Sequence, residues 1–159
     1  SPKSTGSLTN TATSPSSTQE EAGCRGAFGA AFSVTPEIAL VLEGTTAADV
    51  PALTEDRQVC WPGRGPVLSW MDGGAIYDRS LFERLRTLAE KNGLPWQMKH
   101  YLSGGTDAQA VQRTKAGVRV TGISAAVRYL HAPNSVCSQC DAEQMFALAR
   151  LFIRDVAED

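Results

Sequence analysis

The chain has 159 residues, 42% hydrophobic and 20% charged, the balance of an ordinary globular domain with one modest core. Its net charge of -2 supplies no basic field that would draw it to nucleic acid or an anionic membrane. No stretch approaches the roughly 20 apolar residues of a bilayer span, and no basic region followed by an apolar run opens the chain. The expectation is therefore a cytoplasmic protein whose four cysteines are reduced thiols.

Residues 1–17, SPKSTGSLTNTATSPSS, are almost all small and polar. Such a segment has too little apolar surface to offset its ordering entropy, so a disordered tail is expected there, with the globular part over residues 18–159. Cys24–Phe32 reads as a short packed helix of small and apolar residues. Glu37–Leu42 (EIALVL) is a continuous apolar run, as in a strand covered on both faces. Pro51–Gly65 is loop, and Pro66–Trp70 a short strand ending at MDGG. Asp78 suits an N-cap for a helix whose Leu81, Phe82, Leu85, Leu88 and Ala89 share one face, stopped by Gly93 and Pro95.

Trp96–Leu102 reads as a strand running into SGGTD, and Asp107–Ala116 as a helix ended by Gly117. Val118–Ser124 alternates as a strand does, and Ala125–Leu130 continues extended toward His131. Asp141 with Gln144 resembles a capping box for a last helix over Ala142–Ala157, with Met145, Leu148, Leu151, Phe152 and Val156 inward. Strands alternating with helices indicate an α/β sheet with helices on its faces.

Four groups sit where strands give way to loops: Glu20, Glu21, Glu43 and His131. Loop ends beyond strands are where α/β folds place their sites. In TQEEAGCRGA two carboxylates stand side by side, and neighbours in an extended segment point in opposite directions. One can then face a metal while the other acts as a base on water. The competing reading is a helix start enriched in acids for its dipole. Glu43, after EIALVL, would need a partner if buried: a metal, a lysine or backbone NH groups. His131 lies in RYLHAP before a proline that fixes the turn, and a lone histidine is more often structural than a ligand. His100 has no acidic motif around it and reads as a strand-surface residue. In GGTDA, Gly104–Ala108, two glycines allow close approach to a ligand, or make only a tight strand-to-helix turn. Cys137-Ser-Gln-Cys140 has the CxxC spacing without the second pair that a structural zinc site needs.

The succession TQEEAGCRGA, EIALVLEGTTAADVP, GPVLSWMDGG, GGTDAQAV and RYLHAP resembles the M42 metallo-aminopeptidases, over residues 18–159. The resemblance implies an α/β/α three-layer zinc-peptidase-like fold, of which this chain is the C-terminal half. It implies a metal-dependent aminopeptidase that removes N-terminal residues from peptides with water activated by two divalent ions, Zn²⁺ or Co²⁺. Glu20 is then the general base. Glu21 and His131 are ligands of one metal, and Glu43 is a ligand of the other. Asp107 and its glycines border the site, with no role carried over.

The chain also departs from the family. A member is about twice as long, and its first half supplies a histidine ligand, the aspartate that bridges the metals and an inserted domain used in assembly. An apolar strand normally leads into QEE, where SPSST stands here, so the tail reads as foreign, misread or fused sequence. With only three ligands kept, weak metal binding is expected. Two alternatives follow: an inactive fragment or pseudo-enzyme, and another co-catalytic zinc hydrolase of the M28 or M20 kind. Expected partners are peptide substrates, with homo-oligomers for full-length relatives and neither nucleic acid nor membrane.

Overall fold

The computed structural model describes residues 12–158. The polar tail expected over residues 1–17 falls largely outside the described residues, and its last part, 12–17, is exposed and has neither helix nor strand. The elements are α1 (Arg25–Val34), β1 (Ile38–Thr46), a 3-10 turn (Glu55–Arg57), β2 (Val67–Leu68), α2 (Arg79–Lys91), β3 (Gln97–Met98), α3 (Ala108–Gln112), β4 (Arg119–Arg128), β5 (Val136–Cys137) and α4 (Gln139–Ala157). The sheet runs β1-β4-β2-β3, with β5 paired to the end of β4. β1 and β4 are parallel, as are β2 and β3, whereas β2 and β5 run antiparallel to β4.

β4 is the central strand, and its side chains alternate between two cores. Ile123 and Ala125 join Leu68 with Leu81, Phe82 and Leu85 of α2 and Leu148 and Phe152 of α4. Val118, just before the strand, and Val120 in it join Ala27 and Ala31 of α1 with Ala108 and Val111 of α3. Helices therefore cover both faces, the expected α/β layering. Each large apolar side chain so enclosed contributes roughly 1.5–3 kcal/mol relative to exposure.

α2 forms as its pattern predicts. Asp78 caps it, accepting a hydrogen bond from Leu81 N at 3.1 Å, and the helix ends at Asn92 before Gly93, whose φ is 65°. The other elements correct the sequence expectation in particular ways. β1 extends to Thr46, so Glu43 lies inside the strand. Nor is β1 enclosed: among the described residues it pairs on one side only, and Leu42 is 40% exposed. β2 and β3 are two-residue strands, because the extended segments around them hold few ladder partners. α3 stops at Gln112, short of Ala116, where Lys115 adopts φ 53° and Gly117 φ 103°.

α4 begins three residues earlier than expected. Ser138 is its N-cap, accepting from Asp141 N at 3.2 Å. Asp141 is buried and does other work, accepting from Gly63 N at 2.6 Å and Gly65 N at 3.0 Å. It ties the loop before β2 to the first turn of α4. His100 is exposed, as expected, and packs edge-on against Trp61 at 4.9 Å. Among the described residues no helix is long and apolar enough to cross a membrane.

Candidate metal centre

Glu20 and Glu21 lie in a turn that leads into α1, not in an extended segment. Gln19 is left-handed at φ 58°, and the Glu20 carbonyl accepts from Gly23 N at 3.0 Å and Cys24 N at 2.9 Å. The turn folds the chain back onto α1, where Gly26 N donates to Thr18 O at 3.0 Å. A Cβ on Gly26 would sit 2.5 Å from Thr18 N and 2.9 Å from Thr18 Oγ1, so this close approach requires glycine. The two carboxylates diverge all the same. Glu21 is exposed and meets His131, with Oε1 3.1 Å from Nδ1. Glu20 is half-buried and turns toward Cys24, whose Sγ is 3.9 Å from its Oε1.

His131 sits on the loop of residues 129–135 between β4 and β5. Tyr129 at φ 60° and His131 at φ 64° are both left-handed, and Ala132 N donates to Tyr129 O at 3.0 Å. Two non-glycine residues in this region of backbone space within three positions are costly, and the strand pairing on both sides holds them there. Without this backbone the imidazole would not reach Glu21, which lies more than a hundred positions earlier in the chain.

Glu43 approaches from β1, opposite Ser124 of β4. Its carboxyl is pushed up to about 8, first by burial, with Lys99 opposing and Asp72, Glu20 and Asp107 adding negative charge. Glu20 is likewise raised, by burial and then by Glu21 and Asp107. A ligand atom from each of Glu20, Cys24 and Asp107 lies within 4.8 Å of the others. Asp107 Oδ2 accepts from Ser17 Oγ, while its buried Oδ1 has no hydrogen-bond partner.

Five carboxylates thus gather at one place, faced by Lys99 and His131. Asp72 is the one whose oxygens are fully engaged, accepting from Gly74 N at 2.7 Å, Ala75 N at 2.8 Å and Tyr77 Oη at 2.9 Å. It shapes the loop after β2. Among the other four, Glu20 feels the negative charge of Glu21 and Asp107, and Glu43 that of Glu20 and Asp107.

The structure therefore brings Glu21 to His131 and sets Glu20 and Glu43 within electrostatic reach of each other. Sequence reasoning gave Asp107 no role and passed over Lys99 and Asp72. The signal for Asp72 was the glycine pair of MDGG, which marks a turn, and turns of this kind beyond strands often border sites. Lys99 carried no sequence signal, since its proximity to Glu43 comes only from the register of β3.

Comparison with known proteins bears on this arrangement. The family model for M42 glutamyl aminopeptidase matches residues 4–148, beginning inside the polar segment set apart as a tail. The lysyl aminopeptidase of Pyrococcus furiosus is 29% identical over 143 residues, 88% of this chain and 39% of its own. The solved aminopeptidase APDkam598 of the archaeon Desulfurococcus kamchatkensis superposes with a TM-score of 0.83 at 34% identity, over 86% of this chain and 39% of its own. The TET1 peptidase of Pyrococcus horikoshii, which can assemble into a tetrahedron or a large octahedral shell, superposes with a TM-score of 0.68 at 32% identity, over 85% and 38%. This chain thus spans about two fifths of the length of each of these proteins.

Proposed function

The chain belongs to the M42 glutamyl aminopeptidase family, a metallopeptidase family, and from that premise we propose that its acidic cluster is the metal-binding and proton-accepting part of an aminopeptidase site. The observation that carries the reading is the pairing of Glu21 and His131 at 3.1 Å from two loops remote in sequence. One oxygen and one ring nitrogen held that close are a bidentate donor set for a divalent ion. Both side chains are well exposed, so an ion can reach them. Glu43, raised by burial despite Lys99, and the buried Asp107 Oδ1 without a hydrogen-bond partner are the adjoining carboxylates, and by this reading Glu43 would hold a second ion.

Bound divalent ions supply a Lewis acid for the scissile carbonyl and lower the pKa of water at the site. The residues of this chain divide the remaining tasks. Glu21 and His131 hold one ion, and Glu43 holds the other. Glu20, turned inward beside them and free of a strong hydrogen bond, accepts a proton at its carboxylate during attack on the carbonyl carbon. Its raised proton affinity suits that task, because a base works best with a pKa nearer the working pH. The substrate by this reading is the N-terminal residue of a peptide. Zinc and cobalt both suit carboxylate and imidazole donors. A cytosolic location and assembly with further copies, of the kind the Pyrococcus horikoshii peptidase shows, belong to the same proposal.

The test separates the two neighbouring carboxylates. Zinc or cobalt chloride is titrated calorimetrically into the wild-type chain and into the Glu20→Gln, Glu21→Gln and His131→Ala variants. Cleavage of aminoacyl arylamides is followed in parallel. Glu21→Gln and His131→Ala should lose metal affinity together. Glu20→Gln should keep it and lower any turnover by about 10²–10⁴-fold. Loss of metal by Glu20→Gln with retention by Glu21→Gln would exchange their roles. Metal affinity unchanged in all three variants would refute the site.

A further inference from the structure

A second group of ligand atoms meets at Glu20. One donor atom each from Glu20, Cys24 and Asp107 lies within 4.8 Å of the other two, and among the described residues no other three His, Cys, Asp or Glu side chains bring their donors so close. Glu20 and Cys24 stand at the two ends of the turn before α1, where the Glu20 carbonyl accepts from Cys24 N at 2.9 Å, and Asp107 stands at the start of α3. Cys24 is 2% exposed, so its sulfur is a buried donor. Glu20 and Asp107 are half-buried and give an ion its way in from solvent.

The spacing suits one small ion. Cys24 Sγ lies 3.9 Å from Glu20 Oε1. Two ligands of a tetrahedral zinc ion, a sulfur at about 2.3 Å and an oxygen at about 2.1 Å, stand about 3.6 Å apart. That pair is already near a chelating distance. The separations to Asp107, at most 4.8 Å, close to the same range with a carboxylate movement of roughly 1 Å. The unused valences point the same way. Asp107 Oδ2 accepts from Ser17 Oγ, but its buried Oδ1 has no hydrogen-bond partner, a costly state that a cation would relieve. Gln109 Nε2 donates to Cys24 Sγ at 3.2 Å, a contact that favours the sulfur as thiolate.

We propose that Glu20, Cys24 and Asp107 form a binding site for one thiophilic divalent ion, of the zinc and cadmium class, separate from the ions assigned to Glu21, His131 and Glu43. A thiolate with two carboxylates selects such an ion over magnesium or calcium, which take oxygen donors alone. Burial keeps the proton on Cys24 while the Gln109 hydrogen bond opposes it, so binding releases that proton to solvent as the sulfur–metal bond forms. Water completes the coordination. The site stands on the placement of these three side chains and does not depend on the peptidase reading. On that reading Glu20 is also the proton acceptor, so this ion competes with the reaction for its carboxylate.

Cadmium chloride is titrated into the folded chain carrying Cys137→Ser and Cys140→Ser, which removes the two exposed thiols. Sulfur-to-cadmium charge-transfer absorption in the ultraviolet reports only ions bound to a thiolate, so ions at Glu21, His131 or Glu43 are silent. The band should grow to saturation at one ion per chain, and Cys24→Ser should abolish it. Glu20→Gln and Asp107→Asn keep nearly the same size and should each weaken the affinity by about tenfold or more, at least what loss of a supporting partner costs a metal site. Glu21→Gln and His131→Ala should leave the band unchanged, which separates this site from the metal centre of the peptidase reading. A band that survives Cys24→Ser, as binding at Cys60 would, overturns the inference, and so does the lack of any band in excess cadmium. Should Cys24→Ser fail to fold, the carboxylate variants decide: unchanged affinity in both Glu20→Gln and Asp107→Asn would equally overturn it.

Discussion

Replacing Asp141 by alanine should cost the chain far more stability than an ordinary surface substitution at a helix start. The carboxylate is 1% exposed and accepts from two backbone amides, Gly63 N and Gly65 N. Alanine leaves both donors without a partner. Gly65 is buried, so its amide bears the full desolvation penalty of about 1–3 kcal/mol. Gly63 is exposed, and water recovers part of its loss. The sum is about 2–4 kcal/mol, and with a urea m-value of about 2 kcal/mol/M the unfolding midpoint should fall by about 1–2 M. Asp141→Asn should fall between, since one amide oxygen can serve one donor while its NH₂ opposes the other. Ser138→Ala should cost about 1 kcal/mol, as an N-cap does. Urea unfolding followed by circular dichroism reads all three variants. If Asp141→Ala shifted stability by less than about 0.5 kcal/mol, the surface-substitution range, Asp141 would not be the strut between the loop before β2 and α4.

Two further outcomes follow from the same structure. Arg119 holds the Asp78 carboxyl well below the usual carboxylate range, helped by Ser80 and Leu81 N against partial burial. That pair therefore stabilises the fold fully above the unfolded carboxyl pKa of about 3.9, and the stability is lost as pH falls from there toward the depressed folded value. Asp78→Asn should keep the cap and flatten the decline in melting temperature below about pH 4. Gly26→Ala should push residues 18–21 off α1, because the new methyl meets Thr18 at 2.5–2.9 Å. The expected readouts are a loss of about 1–3 kcal/mol, typical of overpacking, and weaker metal binding in the same calorimetric titration.

The layered fold was legible because local signals and burial agree in α2 and β4. Asp78, Leu81, Phe82 and Leu85 announced one, and the run through Ile123 and Ala126 the other. The motifs around Glu20, Glu21, Glu43 and His131 were legible for another reason: they are short, distinctive and in a fixed order. Tertiary context defeated the rest. Asp141 has the sequence of a cap and the environment of a buried strut, which only the distant Gly63 and Gly65 reveal. EIALVL has the composition of an enclosed strand, yet β1 lies at the edge of the described sheet. The turn at Gln19 separates Glu20 from Glu21 as an extended segment would, so the expected divergence arises from a different backbone. No spacing rule could bring Lys99, Asp72 and Asp107 to Glu43, since their meeting depends on the order of strands in the sheet.

Glu43 offers a test that distinguishes a site residue from a structural one by the sign of its effect. A structural carboxylate stabilises the fold, and removing its charge destabilises it. Glu43 is the reverse case. Burial first, and then the neighbouring Asp72, Glu20 and Asp107, raise its carboxyl to about 8 despite Lys99. A folded pKa above the unfolded value, near 4.5, means that the metal-free chain is stabilised at acid pH by holding this proton. That stability is lost as pH rises from about 4.5 through about 8. The half-buried position and nearby solvent reduce the penalty to a few kcal/mol at most. Glu43→Gln has no charge to bury, so in the presence of chelator it should melt higher than the wild type at pH about 8 and nearly equal to it at pH about 4.5. With zinc added the order should reverse or close, since the wild-type carboxylate gains a cation that the amide binds poorly. Such opposed effects are what a binding site acquires when function is maintained at the expense of stability. A Glu43→Gln chain that melted lower than the wild type in chelator at pH about 8 would show that this carboxylate serves the fold, and the assignment of Glu43 as a metal ligand would fall.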